Sequence, residues 1–154
     1  MDDFEAFLNQ GGIVEPDDAM PDEYRIAVFR FIELHANSEQ MGGLTERDWI
    51  PRTPGLRHKM AVIAKTQDEF GHAHLLYMVA ADMAIKTRQE MIEDLYAGKS
   101  RFHNVFHYRA KTWGHQVAIA FLVDAAALAS QQAVFKNCSY GPYRRILKRI
   151  IAEE

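Results

Sequence analysis

The chain has 154 residues, 48% of them hydrophobic and 25% charged, a balance typical of an ordinary globular protein. Its net charge of −3, with Lys and Arg scattered along the chain, argues against a nucleic-acid-binding surface. The single cysteine, Cys138, excludes an internal disulfide and a thiolate metal site built by one chain. The acidic N-terminus lacks the basic and apolar regions of a signal peptide, so we expect a cytoplasmic location.

The first predicted helix follows an irregular lead-in. Glycine and proline interrupt residues 1–21, which are therefore not expected to form a long helix. Asp22 is expected to cap a helix over residues 23–41, and Gly42-Gly43 is expected to end it. Residues spaced three and four apart form one stripe along this helix, and the stripe carries both apolar and polar side chains. The stripe consists of Val28, Ile32, His35 and Glu39.

A second helix is predicted over residues 55–85, after a connection that contains two prolines. Apolar residues flank a polar trio in one register of this helix. The stripe consists of Val62, Lys65, Glu69, His72, Leu76, Val79 and Met83. Because its ends are apolar, we expect the stripe to face the core. Buried polar groups of this kind persist only when they are paired or bound to a metal.

A short third helix and a crossover are predicted next. Thr87 and Glu90 have the spacing of a capping box, and Gly98 is expected to close the helix. The segment over residues 101–113 is rich in aromatic side chains and histidine. We interpret it as the crossover between two helical hairpins.

Two further helices are predicted after the crossover. Residues 112–136 are apolar on nearly every face around Asp124, and an aspartate at the centre of a membrane-spanning helix costs ~2.5–3.5 kcal/mol. We therefore expect a helix buried in a protein core. Ser139 to Pro142 is a stop-and-start signal. The stripe of the last helix consists of Tyr143, Leu147, Ile150 and Glu154. No strand-like alternation appears, so the predicted fold class is all-α.

The candidate metal ligands lie on these stripes. Glu69 and His72 are three positions apart and share a helical face, although such a pair is weak on its own. The same number of residues separates Glu39 from Glu69 and Asp124 from Glu154, as two antiparallel hairpins would require. Carboxylates with imidazole suit iron or manganese, and four helices in this pattern are typical of di-iron carboxylate bundles. A second Glu-x-x-His would need its histidine at position 157.

Simpler interpretations exist for each of these residues. Glu154 could belong to a frayed, solvated chain end. His35, one turn before Glu39, is either a partner of a metal ligand or a core histidine. Lys65 either neutralises the metal carboxylates while the site is empty or forms an ordinary helical ion pair with Glu69, worth ~0.3–0.5 kcal/mol.

Several segments together resemble the catalytic subunits of the multicomponent phenylacetyl-CoA epoxidases, in order and with the right gaps. The segments are Met20-Pro-Asp-Glu-Tyr-Arg25, His35-Ala-Asn-Ser-Glu39, Trp49-Ile-Pro-Arg52, Ala64-Lys-Thr-Gln-Asp-Glu-Phe-Gly-His72, Phe121-Leu-Val-Asp-Ala-Ala126 and Cys138-Ser-Tyr-Gly-Pro-Tyr143. The resemblance implies a ferritin-like four-helix bundle and a di-iron site that activates O2. It also implies epoxidation of the aromatic ring of phenylacetyl-CoA in aerobic phenylacetate degradation.

The resemblance also implies ligands and partners. By position, the metal ligands are Glu39, Glu69, His72, Asp124 and Glu154. Lys65 matches the family's lysine beside the metals, and Glu46 matches an acidic residue near the pocket. Electrons would come from NADPH through a separate flavin and iron–sulfur reductase. A related non-catalytic bundle subunit would serve as scaffold in a hetero-oligomer.

The family continues past Glu154 with Ser-Phe-His, which completes the second Glu-x-x-His. The expectation is a single ferritin-like domain over residues 1–154, with an incomplete last helix, that forms an N-terminal portion of a longer chain. A second polypeptide that completes the bundle and a degenerate relative are the alternatives. The function classes left open are a di-iron oxygenase, a metal-handling ferritin-like protein and a metal-free structural subunit.

Overall fold

Helices make up nearly all the regular structure of residues 2–154, which the computed structural model describes. Between α4 and α5 lies a short 3₁₀ helix, Asn104–His107. The α-helices are α1 (Asp2–Asn9), α2 (Asp22–Arg47), α3 (Leu56–Ala81), α4 (Arg88–Tyr96), α5 (Trp113–Asn137) and α6 (Gly141–Glu153). No β-strand occurs in the described residues. The predicted all-α class is confirmed.

Helices α2 and α3 form the first antiparallel hairpin. Near one end of the pair, Asn37 accepts a hydrogen bond of 2.6 Å from Tyr77. Near the other end, Glu46 lies 3.4 Å from Lys65. Since the residue numbers rise on one helix as they fall on the other, the two helices run in opposite directions.

Helices α5 and α6 form the second hairpin, and α5 runs parallel to α3. The rings of His58 and Trp113 lie 5.9 Å apart, and Lys65 lies 3.0 Å from Asp124 further along both helices. Parallel neighbours need a long connection, and α4 with the 3₁₀ helix lies within it. The predicted crossover between two hairpins is therefore confirmed.

The core lies where the predicted stripes of α2, α3 and α6 meet. Ile32, Leu76, Leu147 and Ile150 are completely buried there. His74, which lies off the stripe of α3, is exposed, as its position predicts. The helical spacing of apolar residues therefore identified the buried faces of these three helices.

The predicted end of the first long helix is wrong. Helix α2 continues through Gly42-Gly43 to Arg47, and Asp22 is its first residue rather than its cap, a position taken by Pro21. A Cβ on Gly43 would lie 2.9 Å from the ring of Phe70 on α3. The glycines are therefore sites of close helix approach. Two smaller corrections are a short helix α1 within the predicted lead-in and an end of α3 at Ala81 instead of residue 85.

Helix α5 is not the buried core helix that its composition suggests. Its buried residues are Gln116 and Gln131, whereas Phe121 is 72% exposed and Leu122 is 65% exposed. Among the described residues it is the one helix long and apolar enough to cross a membrane by length and composition, which alone is weak support for a span. In this structure one side of α5 packs on the bundle and the other remains exposed.

Candidate metal centre

Three of the predicted ligands meet between α2, α3 and α6. Glu39, His72 and Glu154 each offer one ligand atom, and these atoms all lie within 4.8 Å of one another. Nδ1 of His72 lies 3.5 Å from Oε2 of Glu39 and 3.7 Å from Oε1 of Glu154. The predicted stripe of α6 therefore meets the stripes of α2 and α3 at this cluster.

Two atoms of this cluster have no hydrogen-bond partner. Oε2 of Glu39 and Nδ1 of His72 are both buried and unpaired. A buried polar atom without a partner costs roughly 1–3 kcal/mol. A carboxylate oxygen and an imidazole nitrogen that face one point are the donor set of a transition-metal ion.

The other nitrogen of His72 has a carboxylate partner. Nε2 lies 3.0 Å from Oε2 of Glu153, whose other oxygen accepts a hydrogen bond from Arg149. A carboxylate on the far nitrogen of a histidine ligand commonly fixes its ring orientation. No pattern in the sequence pointed to Glu153, because its contact with His72 depends on how α6 packs.

A second cluster surrounds the ammonium of Lys65. Nζ forms an ion pair with Glu69, lies 3.0 Å from Oδ2 of Asp124 and lies 3.4 Å from Oε1 of Glu46. Helices α2, α3 and α5 each supply a carboxylate to it. Lys65 is therefore more than the helical partner of Glu69, and the cluster joins three helices.

All seven predicted site residues thus lie in two adjoining clusters. A cavity of 180 Å³ is shared by residues of both clusters, including Lys65, His72 and Asp124. The five predicted carboxylates face one lysine and one histidine, an excess of negative charge in a largely buried place. Such an excess is unfavourable unless protons or cations neutralise it.

The pKa values reflect this excess of carboxylates. Burial, together with the charge of Glu39, raises the pKa of Glu69 to about 9. Burial raises the pKa of Glu46 to about 7. Burial alone would also raise the pKa of Glu39. The hydrogen bond from His35 and the nearby imidazole of His72 together lower it to about 2. Burial disfavours the ammonium of Lys65, but the surrounding carboxylates raise its pKa well above the usual value.

The residues fit a metal centre. The two unpaired atoms face each other, and the raised pKa of Glu69 reflects an excess of negative charge that a bound cation would relieve. The donor set is hard carboxylate oxygen with imidazole nitrogen, which suits iron or manganese. The metal that binds, and the number of ions, stay predictions.

An apolar cavity of 420 Å³ opens beside the clusters, between α2 and α5. Glu39, Glu46, Glu69 and Asp124 lie in its wall, so the polar groups converge on one region of a largely apolar space. Apolar lining residues include Phe31, Leu34, Phe106, Ile119, Val123 and Val134. A volume of this size lies within the range of about 300–1,000 Å³ that is typical of small-molecule sites.

The crossover supplies part of the cavity wall. The amide of Asn37 donates hydrogen bonds to Ser100 and to the carbonyl of Arg101, and the backbone N–H of His103 donates to Ser38. These bonds hold the 3₁₀ segment against α2. Phe106 is thereby placed next to Gly42, a residue that the carboxylate of Glu69 also approaches. Phe106 was not predicted as a site residue, since only its aromatic-rich segment was recognisable.

Comparison with known proteins decides the family. The family model described as "Phenylacetic acid catabolic protein" matches residues 1–154. The chain belongs to the phenylacetic acid catabolic protein family. It is also 39% identical over 151 residues to one of the subunits of 1,2-phenylacetyl-CoA epoxidase from Escherichia coli strain K12. That alignment covers 98% of this chain and 48% of the relative, so the chain spans about half the length of that protein.

The family membership confirms the ferritin-like bundle expected from the sequence. It also confirms the resemblance on which the site residues were assigned. The family's description concerns phenylacetic acid catabolism, and the similar protein is one subunit of an epoxidase.

Proposed function

We propose that this chain carries the metal centre of an oxygenase that epoxidises the aromatic ring of phenylacetyl-CoA. The observation that carries the proposal is the position of a cluster of candidate metal-binding side chains beside an apolar cavity. A cluster of carboxylates and one histidine has unpaired donor atoms, and its carboxylates Glu39 and Glu154 line a 420 Å³ apolar cavity. The similarity to one component of phenylacetyl-CoA epoxidase supports the choice of substrate.

Iron is the proposed metal, with two ions in each site. Glu39, His72 and Glu154 would hold one ion, while Glu69 and Asp124 would supply carboxylate oxygens to the other. When bound, iron would supply the redox chemistry that activates O2. Glu153 would keep His72 oriented from its far side.

Lys65 and Glu46 have proposed roles in handling protons and charge. The ammonium of Lys65 balances the carboxylates on α2, α3 and α5. Glu46 has a pKa of about 7, so at neutral pH it can both accept and release a proton at its carboxyl group. Its carboxylate lines the cavity, where a bound substrate would lie within its reach.

The cavity has the chemistry of a site for an aromatic ring. Its wall is mostly apolar, with Phe31 and Phe106 available to pack against a ring, and its polar groups lie near the metal cluster. Exclusion of water by such a wall protects reactive oxidants from side reactions. The CoA portion would extend towards solvent, past the half-exposed Phe31 and Leu34.

The proposal includes partners. Electrons would reach the site from NADPH through a separate flavin and iron–sulfur reductase, and a related non-catalytic bundle subunit would serve as scaffold. The similar protein is itself one subunit of an epoxidase, which supports a hetero-oligomer.

Metal binding by the chain is the first test. The protein, purified without oxygen and loaded with Fe(II), should retain iron, and His72→Ala should retain much less. His74→Ala is the matched control, because His74 lies two residues away on the exposed face of the same helix. Equal iron in both variants would contradict the metal centre.

Oxygen consumption is the second test. The protein, combined with a reductase and a scaffold subunit, should consume O2 and NADPH only when phenylacetyl-CoA is present. Iron uptake and oxidation without any reductase, and without a response to phenylacetyl-CoA, would instead favour a metal-handling ferritin-like protein.

A further inference from the structure

His35 connects a proposed metal ligand to two other helices. Its Nε2 lies 2.8 Å from Oε1 of Glu39, one turn further along α2. Its Nδ1 lies 2.9 Å from the hydroxyl of Tyr143 on α6. The carboxamide nitrogen of Gln131 on α5 lies 3.3 Å from Nε2, and its buried oxygen has no partner, so a 180° rotation of the carboxamide lets that oxygen accept from Nε2–H. Tyr143 is 2% exposed and Gln131 is 6% exposed, so the imidazole is enclosed by three helices.

The partners of His35 determine where its ring hydrogen lies. A carboxylate can only accept, so the nitrogen that faces Glu39 carries the hydrogen. In a neutral imidazole the other nitrogen is then an acceptor, and the hydroxyl of Tyr143 is the donor placed to satisfy it. The chain of hydrogen bonds therefore runs in one direction, from Tyr143 to His35 and from His35 to Glu39.

This chain leaves one oxygen of Glu39 free to bind. Oε1 is occupied by His35, whereas Oε2 is buried, has no hydrogen-bond partner and lies 3.5 Å from the unpaired Nδ1 of His72. A carboxylate that could rotate about its last bond would present either oxygen. The bond from His35 removes that freedom and directs Oε2 towards His72 and Glu154.

We propose that His35 is a positioning residue of the metal centre, and that Tyr143 satisfies its other ring nitrogen. Through Nε2–H, His35 holds the Glu39 carboxylate in the orientation that offers Oε2 to a metal ion. This inference rests on the proposed metal site, and it assigns a function to a histidine that does not itself reach the metal cluster.

A role in substrate binding is the competing explanation, since His35 and Tyr143 also line the apolar cavity. A substrate contact would change the binding of phenylacetyl-CoA without changing the metal centre. Readouts taken without substrate therefore separate the two roles.

The first readout is the tautomer of His35 in the metal-free protein. Nitrogen-15 NMR of the imidazole should show a hydrogen on Nε2 and none on Nδ1. In Tyr143→Phe, which keeps the ring and loses the hydroxyl, the hydrogen should stay on Nε2, because Glu39 still accepts it, and the Nδ1 resonance should shift as its hydrogen bond is lost. A hydrogen on Nδ1 of the unmodified protein would overturn the proposed direction of the chain.

The second readout is binding of Co(II), a metal whose visible spectrum reports its ligands. Loss of a residue that supports a metal ligand typically lowers metal affinity by roughly 10–100-fold, and we expect this for His35→Ala, with a changed cobalt spectrum. His35→Gln keeps an N–H donor and should recover most of the affinity. Tyr143→Phe should weaken binding less than His35→Ala, and His74→Ala should leave it unchanged.

The outcomes separate this inference from the proposed function. If the unmodified chain binds no cobalt, the metal centre is wrong and the role of His35 falls with it. If cobalt binds but His35→Ala, folded by circular dichroism, matches the unmodified affinity and spectrum, the inference alone is overturned. Failure of His35→Gln to recover binding would also count against it, because a donated hydrogen bond would then not be what matters.

Discussion

Nζ of Lys65 lies 3.0 Å from Oδ2 of Asp124, in an ion pair that joins α3 to α5. The same ammonium contacts Glu46 and Glu69, so one cation balances carboxylates from three helices. Lys65 should therefore stabilise the metal-free protein and weaken metal binding.

Lys65→Met removes the ammonium and keeps most of the aliphatic chain. Loss of one partner from a buried ion pair costs ~3–5 kcal/mol, but the Lys65 side chain is 28% exposed. We therefore expect the free energy of unfolding of the metal-free protein to fall by about 2–3 kcal/mol, as measured by urea denaturation. Mn(II) affinity should rise, because the metal no longer competes with the ammonium.

Lys148→Met is the matched control, since Lys148 is an exposed lysine on α6. It should change the free energy of unfolding by less than about 0.5 kcal/mol. Equal destabilisation by the two substitutions would show that Lys65 is no more important than a surface lysine.

The stability of the metal-free protein should fall as the pH rises above about 5. The folded pKa of Glu46 is about 7 and that of Glu69 is about 9, both above the ordinary value of 4.5. Between 4.5 and those values the folded protein binds more protons than the unfolded chain, so the free energy of unfolding decreases with pH. Glu39, with a pKa of about 2, acts in the opposite direction only below 4.5.

Urea denaturation of chelator-treated protein across this pH range measures the effect. Glu46→Gln should flatten the slope between 4.5 and about 7 and reduce it at higher pH, because the charge of Glu46 also raises the pKa of Glu69. Glu69→Gln should flatten it up to about 9. Stability that increases steadily from pH 5 to pH 8 would contradict the burial of these carboxyl groups in the folded state.

Gly42→Ala should weaken metal binding without stabilising the protein. A Cβ at this position would lie 2.9 Å from Oε2 of Glu69 and 3.3 Å from the ring of Phe106. The gain in helix propensity, about 1 kcal/mol, is therefore opposed by displacement of the Glu69 carboxylate. We expect lower Co(II) affinity at nearly unchanged stability.

Gly71→Ala provides the control within the partner helix. Gly71 lies in the interior of α3, is exposed, and would place its Cβ in open space. It should gain about 1 kcal/mol in the free energy of unfolding and leave Co(II) affinity unchanged. An equal gain in Gly42→Ala would indicate that the Glu69 carboxylate tolerates the added methyl group.

Asn37→Ala should loosen the crossover as well as the core. The Asn37 side chain is completely buried, accepts from Tyr77 and donates to Ser100 and Arg101. Its loss leaves the buried hydroxyl of Tyr77 unpaired, at about 1–3 kcal/mol. Amide hydrogen exchange of residues 100–107 should accelerate, because their attachment to α2 is removed.

Tyr77→Phe separates the two effects. It removes the hydrogen bond to Asn37 in the core and leaves the bonds from Asn37 to the crossover in place. The free energy of unfolding should fall, while exchange in residues 100–107 should change little. Equal acceleration in both variants would mean that the crossover is not held by Asn37.

The local signals of the sequence predicted much of the fold. Thr87 and Glu90 form the predicted capping box, and Gly98 has a φ of +70° at the end of α4. These features depend on neighbouring residues alone, so they can be read from sequence. The glycine pair Gly42-Gly43 has the same local signal for a helix end, but close packing against α3 overrides it.

Helical spacing is enough to show which side chains share a face, because the period of the helix is fixed by its backbone. It placed Glu69 and His72 on one stripe, and that stripe is buried. Which residues those faces contact depends on how the helices pack. Contacts such as Lys65 with Asp124, His72 with Glu153 and His35 with Tyr143 join residues far apart in the chain. They depend on the relative rotation and offset of packed helices, which no local pattern specifies.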